Sequence, residues 1–190
     1  MSKTIWNLDG AHSQVEFSVK HMMFTTVRGR FREVEGTIRL DTETPQDSSV
    51  EISIAVASLD TGVADRDAHL RSGDFFDVEE HSTLTFRSRR VEGSVGNPGD
   101  TFKVVGDLTI RGVTREVVLD ARFEGTGTDP WGGTRAGFSA RTTIDRRDFG
   151  LTWNQALEAG GVLVGAEVKI DLQIQAVQRQ EAPGQTVAAV

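Results

Sequence analysis

The sequence predicts an all-β protein, an extended eight-stranded antiparallel up-and-down β-barrel with a short helix and a helical turn. Apolar and polar residues alternate in eight long segments, so each segment has one dry face and one wet face. The last of them, residues 162–176, keeps this period for its whole length and would span roughly 50 Å at ~3.3 Å per residue. A strand that long has to coil, and a coiled antiparallel sheet tends to close on itself.

The strand-like segments follow one another along the chain, and short turn-rich spacers such as residues 95–100 (VGNPGD) favour antiparallel neighbours. A short strand at residues 5–8 comes first. The eight long ones are residues 13–20, 27–40, 50–57, 83–90, 102–110, 114–123, 134–144 and 162–176. Within residues 27–40 the apolar positions change from odd (Phe31) to even (Val34), which predicts a β-bulge at Arg32 and Glu33. Gly112 is expected to turn the chain between two strands.

Two segments interrupt the alternation. Residues 65–72 (DRDAHLRS) read as a short helix, and residues 154–159 as a helical turn. After residue 177 the periodicity stops. We therefore predict one barrel domain over residues 1–177 and a frayed tail over residues 178–190.

Composition excludes several classes of function. The net charge of −7 and the pI near 5.1 argue against a nucleic-acid partner. The absence of cysteine excludes disulfides and thiolate chemistry. No window is apolar enough to span a membrane, and no leader is visible, so we expect a cytoplasmic protein. The long strands also make a homodimer plausible.

The chain offers no sharp catalytic or metal-binding motif. The four histidines, His12, His21, His69 and His81, do not form the close pairs that local metal binding favours. There is no G-x-S-x-G elbow, and the glycine stretch 125–133 precedes a strand and lacks a Lys-Ser/Thr pair. We therefore expect no catalytic residue, no metal and no cofactor.

Arg66, Asp67 and His69 form the densest cluster of ionisable residues. They are interpreted either as a lid that grips a ligand head group or, with better support, as the start of a helix bound to its neighbouring loops. Farther along, Arg146, Arg147 and Asp148 precede a turn, and we expect a buried Arg–Asp pair among them to hold it.

Two apolar clusters could close or line the barrel. Phe75 and Phe76 are adjacent on extended chain, so we expect one to plug the interior and the other to pack outside. Met22, Met23 and Phe24 interrupt the alternation and are read either as adaptable ligand contacts or as core filler.

Four separated stretches resemble the YceI-like family. They are residues 69–78 (HLRSGDFFDV), 82–88 (STLTFRS), 105–114 (VGDLTIRGVT) and 144–150 (IDRRDFG). The opening Trp6-Asn7-Leu8-Asp9 also fits, and the resemblance covers about residues 4–177. His81 and Arg111 depart from the residues that are frequent in this family at those positions.

The resemblance implies a lipocalin-like barrel whose apolar interior holds a long polyisoprenoid, of the isoprenoid quinone or polyprenyl type, or a similar amphiphilic lipid. Apolar side chains would then be the binding site of a non-enzymatic carrier. The predicted wall is Phe17, Val19, Phe24, Phe31, Phe86, Leu108 and Phe138; Leu70, Phe75 and Phe76 are on the lid side, with Trp153 near one end. Arg66, Asp67 and His69 would contact the head group or form the lid. Inward small residues would keep the interior hollow: Gly106, Ala121, Ala136, Ala140 and Ala166.

Two other functions fit the same sequence. An enzyme could act on an isoprenoid or lipid head group through Arg66, Asp67 and His69. A fully packed barrel could instead serve as a structural or stress-response protein without a ligand.

Overall fold

The computed structural model describes residues 3–180, which form a closed antiparallel barrel. The strands are β1 (Lys3–Leu8), β2 (Gln14–His21), β3 (Thr25–Phe31), β4 (Val34–Asp41), β5 (Ser49–Ala55), β6 (Leu59–Asp60), β7 (Thr83–Gly93), β8 (Thr101–Ile110), β9 (Val113–Thr128), β10 (Thr134–Asp145) and β11 (Val164–Gln178). One α-helix, α1 (Ala64–Arg71), joins β6 to β7.

These pieces make a meander of eight long strands in the part of the chain that the structure describes. β1 and β2 lie end to end and both pair with β11. β4 pairs with β1 and β3 pairs with β2, so β4 and β3 also lie end to end. In the same way, β5 pairs with β4 and β6 pairs with β3. The remaining strands pair in sequence order from β7 to β11, and the β1–β11 pair closes the ring. The predicted fold class and up-and-down order are therefore confirmed.

The predicted bulge at Arg32 and Glu33 is a break between β3 and β4 rather than a bulge within one strand. The change of inward phase between Phe31 and Val34 is present. The extra residues are on the neighbouring strands, as single 3-10 turns at Gly10–His12 and Val56–Ser58. The irregularity therefore involves the pairing of three neighbouring strands. The sequence of one segment does not reveal it, because it contains no information about the register with its neighbours.

The two longest connections lie at the same end of the barrel. We call one end the helix end, because it carries α1 within residues 61–82 and the loop of residues 146–163. The other, the opposite end, has only the connections 42–48, 94–100 and 129–133. The tight turns β2–β3 and β8–β9 are also at the helix end, and Gly112 turns the chain there with a positive φ of 71°.

Two boundaries differ from the sequence-based expectation. The predicted helical turn at 154–159 is wrong: the segment is a loop with one antiparallel bridge between Ala156 and Val162. Gly160 and Gly161, both with positive φ, turn this loop back on itself. β11 continues to Gln178, and the predicted tail from 181 to 190 lies outside the described residues.

Candidate functional site

The interior of the helix-end half contains an apolar cavity of about 160 Å³. It is lined by carbon atoms from nearly every strand and from both long connections. Its walls include Val15, Phe17, Val19, Phe31, Ile52, Ile54, Leu84, Phe86, Leu108, Ile110, Val117, Val168 and Ile170, with Leu70, Phe75, Phe76, Phe149 and Leu151 from the connections. Such a cavity can hold apolar matter and offers no polar group to hold water.

A smaller cavity of about 70 Å³ lies in the opposite half. Phe138, a predicted wall residue, lines this one, and its ring centroid lies 5.3 Å from that of Phe123. Ile52, Leu119 and Leu172 line both cavities and therefore form the partition between them.

None of the inward small residues lines the larger cavity, so the expectation that they keep the interior hollow fails for that cavity. At Gly106 a Cβ would lie 2.5 Å from Arg87 O and 2.6 Å from Phe86 Cζ, so the backbone of β7 and the ring of Phe86 occupy the space of a side chain. Phe17 covers Gly29 in the same way. Ala121 and Ala140 line the smaller cavity instead, and none of the five residues predicted to keep the interior hollow lines the larger one.

Leu70, Phe75 and Phe76, the residues assigned to the lid side, line the cavity, and both phenylalanines face the interior, so the expectation that one packs outside is wrong. Phe76 packs edge-on against Phe31, with ring centroids 5.8 Å apart. The segment is folded rather than extended here, because Phe76 N–H donates to Leu70 O at 2.9 Å, which places adjacent rings on one side. Arg111, one of the departures from the family pattern, donates from Nη1 to Phe75 O at 2.9 Å and holds this segment.

The predicted head-group residues are bound to the protein itself. Arg66 donates from Nε to Thr61 Oγ1 at 2.7 Å, and buried Asp67 accepts from the Thr61 amide at 2.9 Å. His69 stacks against Phe75 and Trp153, at 5.1 and 4.7 Å between ring centroids, and its Nε2 lies 2.9 Å from Asp74 Oδ2. Trp153 thus packs behind the lid, as a support rather than as a wall.

Sequence reasoning missed the partners of Arg146. The expected pair with Asp148 is wrong: Arg146, which is 5% exposed, donates to the carbonyl oxygens of Leu151, Trp153, Val164 and Gly165. Burial lowers the pKa of its guanidinium below the usual value of an arginine. These four bonds close the loop of residues 146–163 over the cavity. Sequence spacing gave no signal, because the acceptors are backbone atoms.

One predicted wall residue is outside the barrel. Phe24 is 80% exposed at the tip of the β2–β3 hairpin, beyond the last inward position, Val19. The reason is the turn itself, since Met22 and Met23 have φ of 50° and 63° and reverse the chain before Phe24.

Within residues 3–180, no group of three His, Asp or Glu side chains is placed to hold a metal ion. In the same range, no helix has the length and apolar character needed to cross a membrane.

The family model of the YceI-like domain matches residues 6–176. The chain belongs to the YceI-like family. A UPF0312 protein of Azotobacter vinelandii is 43% identical over 143 residues, which are 75% of this chain and 73% of that relative.

Solved YceI-like structures share the fold. Burkholderia cenocepacia BcnA superposes with a TM-score of 0.75 at 24% identity, covering 88% of this chain and 98% of BcnA. A polyisoprenoid binding domain from Saccharophagus degradans, implicated in plant cell wall breakdown, superposes with a TM-score of 0.67 at 16% identity, covering 92% and 98%. At these identities the likeness shows the fold.

Proposed function

We propose that this YceI-like protein binds a long apolar lipid, most simply a polyisoprenoid, inside the barrel and carries it without a chemical step. The observation that carries the proposal is the larger cavity, whose walls are apolar from all sides. The polyisoprenoid binding domain of Saccharophagus degradans, which has the same fold, supports the choice of ligand. Burial of each CH₂ contributes roughly 0.8 kcal/mol before ordering costs, so an apolar chain needs no hydrogen bond to bind.

The volume of the cavity limits the size of ligand that can bind without a conformational change. About 160 Å³ is below the roughly 300–1,000 Å³ of most ligand pockets. A long chain therefore requires movement of interior side chains. Movement of Ile52, Leu119 and Leu172 would join the two cavities into one channel along the barrel axis, because these three residues separate them.

The head group would remain at the helix end, since the surface of the cavity is formed by carbon atoms and the one arginine that lines it, Arg146, already donates to four backbone carbonyls. A role of Arg66, Asp67 and His69 in head-group binding stays a prediction. Arg66 and Asp67 would first have to release Thr61, which favours their structural role. For the same reason an enzyme built on these residues is the weaker alternative.

The deciding experiment is native mass spectrometry of protein purified without detergent, followed by organic extraction and lipid analysis. A stoichiometric apolar species of defined mass is the expected result. Protein that is free of lipid and also fails to take up added polyprenyl lipid would contradict the proposal and favour a packed structural barrel.

Two neighbouring residues provide a matched pair of variants. Val117 lines the larger cavity, whereas Val118, next to it on β9, faces outward and is 39% exposed. We expect Val117→Phe to fill part of the cavity and to reduce uptake of an apolar fluorophore about tenfold, whereas Val118→Phe leaves uptake unchanged. Equal uptake by both folded variants would show that the ligand lies elsewhere.

The cytoplasmic location and the homodimer inferred from the sequence stay predictions. Cell fractionation and light scattering of the purified protein test them directly.

A further inference from the structure

The tip of the β2–β3 hairpin exposes an apolar surface outside the cavity. Met22, Met23 and Phe24 are 39%, 60% and 80% exposed, and Val162 on the adjoining loop is 42% exposed. The two segments are in contact: Met22 N–H donates to Leu163 O at 2.8 Å, and the thioether of Met23 lies over Gly161. We call these four side chains the apolar tip.

The backbone of the tip is unfavourable for the residues it carries. Met22 and Met23 both have positive φ, as in the type I′ turn that normally selects Asn-Gly. Phe24 N–H donates to His21 O at 3.1 Å and closes the turn. Bulky side chains in the left-handed region destabilise a fold, and here they add little buried contact in return. Contact with a partner outside the chain better explains why Met22 and Met23 are at these positions.

Basic side chains flank the tip on the outer face of the sheet. Arg28 on β3 and Lys169 on β11 are both register partners of Ser18, and Lys20 lies one outward position closer to the tip. Arg28, Lys20 and Lys169 are exposed, and within residues 3–180 none of them forms an ion pair. Exposed Glu158 and Glu167 on the adjoining loop and strand partly offset these charges. The helix end also carries exposed Asp65, Asp74, Glu79 and Glu80, so the attraction to an anionic surface is confined to this basic flank beside the tip.

The tip also lies beside residues that line the larger cavity. Val19 and Val164 line that cavity, and Val164 is the register partner of His21, the residue before the apolar tip. A surface that docked on the tip would therefore meet the barrel at the end where the cavity lies.

We propose that the apolar tip inserts into the interface of a lipid bilayer, with Lys20, Arg28 and Lys169 against anionic head groups. Convex apolar side chains beside unpaired cations are the pattern of interfacial membrane binding. A second copy of the chain is a poorer occupant, because a two-fold contact at the tip would bring the same basic residues of both copies together. The proposal goes beyond ligand binding in the interior and holds for any lipid that the barrel carries.

The test is co-sedimentation of the full chain with vesicles of phosphatidylcholine and phosphatidylglycerol, and with vesicles of phosphatidylcholine alone. We expect binding to the mixed vesicles and weaker binding to phosphatidylcholine. Phe24→Ser should lower the partition coefficient about tenfold, the loss expected when one inserted aromatic side chain is removed.

A double variant separates membrane binding from folding. Met22→Asn with Met23→Gly installs the preferred turn, so we expect an unchanged or higher unfolding midpoint together with a similar loss of vesicle binding. The matched control is Trp131→Ser, which removes an 86% exposed aromatic side chain at the opposite end of the barrel and should bind vesicles like wild type.

Three results would overturn the proposal: no vesicle binding by the wild type, full binding by the tip variants, or equal loss in Trp131→Ser. A tip variant that instead converts a dimer to a monomer, measured by light scattering without vesicles, would assign the tip to self-association. None of these results depends on whether the interior binds a polyisoprenoid.

Discussion

The two halves of this barrel have the same alternating strands but differ in how their interiors fill. The opposite half has small and large residues facing each other, with Ala121, Ala136 and Ala176 beside the paired rings of Phe123 and Phe138. The helix-end half has medium and large side chains on almost every strand, and its cavity is about 160 Å³ against about 70 Å³. Small side chains that face large ones interdigitate with them, whereas facing side chains that are all large leave gaps between them. The larger cavity is therefore lined by medium and large side chains, with no glycine or alanine in its wall.

The largest expected effect tests the closure of the helix end. Arg146→Ala removes the donor of four hydrogen bonds to backbone carbonyls and should lower the free energy of unfolding by about 3 kcal/mol, measured by urea denaturation. Arg146→Lys should lose a large part of this stability too, because one ammonium cannot reach all four acceptors. Arg147→Ala is the control, since Arg147 is exposed and pairs only with Asp145. Equal stability of Arg146→Ala and wild type would show that the loop closes without these bonds.

A smaller effect tests the difference in packing between the halves. Ala176 is fully buried opposite Ala136, so Ala176→Leu should overpack the tight half and lower the free energy of unfolding by about 1–3 kcal/mol. Val117→Phe adds volume to the loose half and should leave the unfolding midpoint unchanged or raise it. Thermal unfolding of the two variants measures both. A larger loss of stability in Val117→Phe than in Ala176→Leu would contradict the assignment of the larger cavity to the helix-end half.

The smallest expected effect concerns the ion pair between Asp145 and Arg147 at the helix end. Hydrogen bonds from the Arg147 side chain and amide lower the pKa of Asp145 from 3.8 to about 2. The folded protein thus favours the ionised carboxylate, so this stability is present above pH 4 and is lost as the pH falls toward 2. Asp145→Asn should show a shallower loss of stability over this range in acid denaturation. An unchanged profile would mean that the pair with Arg147 adds nothing.

Much of the wall of the larger cavity could be predicted from alternation alone. Phe17, Phe31, Phe86 and Leu108 stand at inward positions of long periodic segments, and all four line the larger cavity. Phe24 could not be placed in this way, because a turn with two left-handed residues separates it from the alternation of β2. The pattern contains no information about side chains in turns, and the resemblance to a family supplied none for this position.

The sequence by itself determined the strands, their inward faces, the antiparallel order and the family, because these depend on neighbouring residues and on local motifs. The tertiary structure decided where the interior is hollow, that Phe86 fills the space above Gly106, and that Arg146 binds carbonyls rather than Asp148. Those features depend on register and on contacts between strands far apart in the chain, and a shift of one residue in register would reverse the face of every side chain involved.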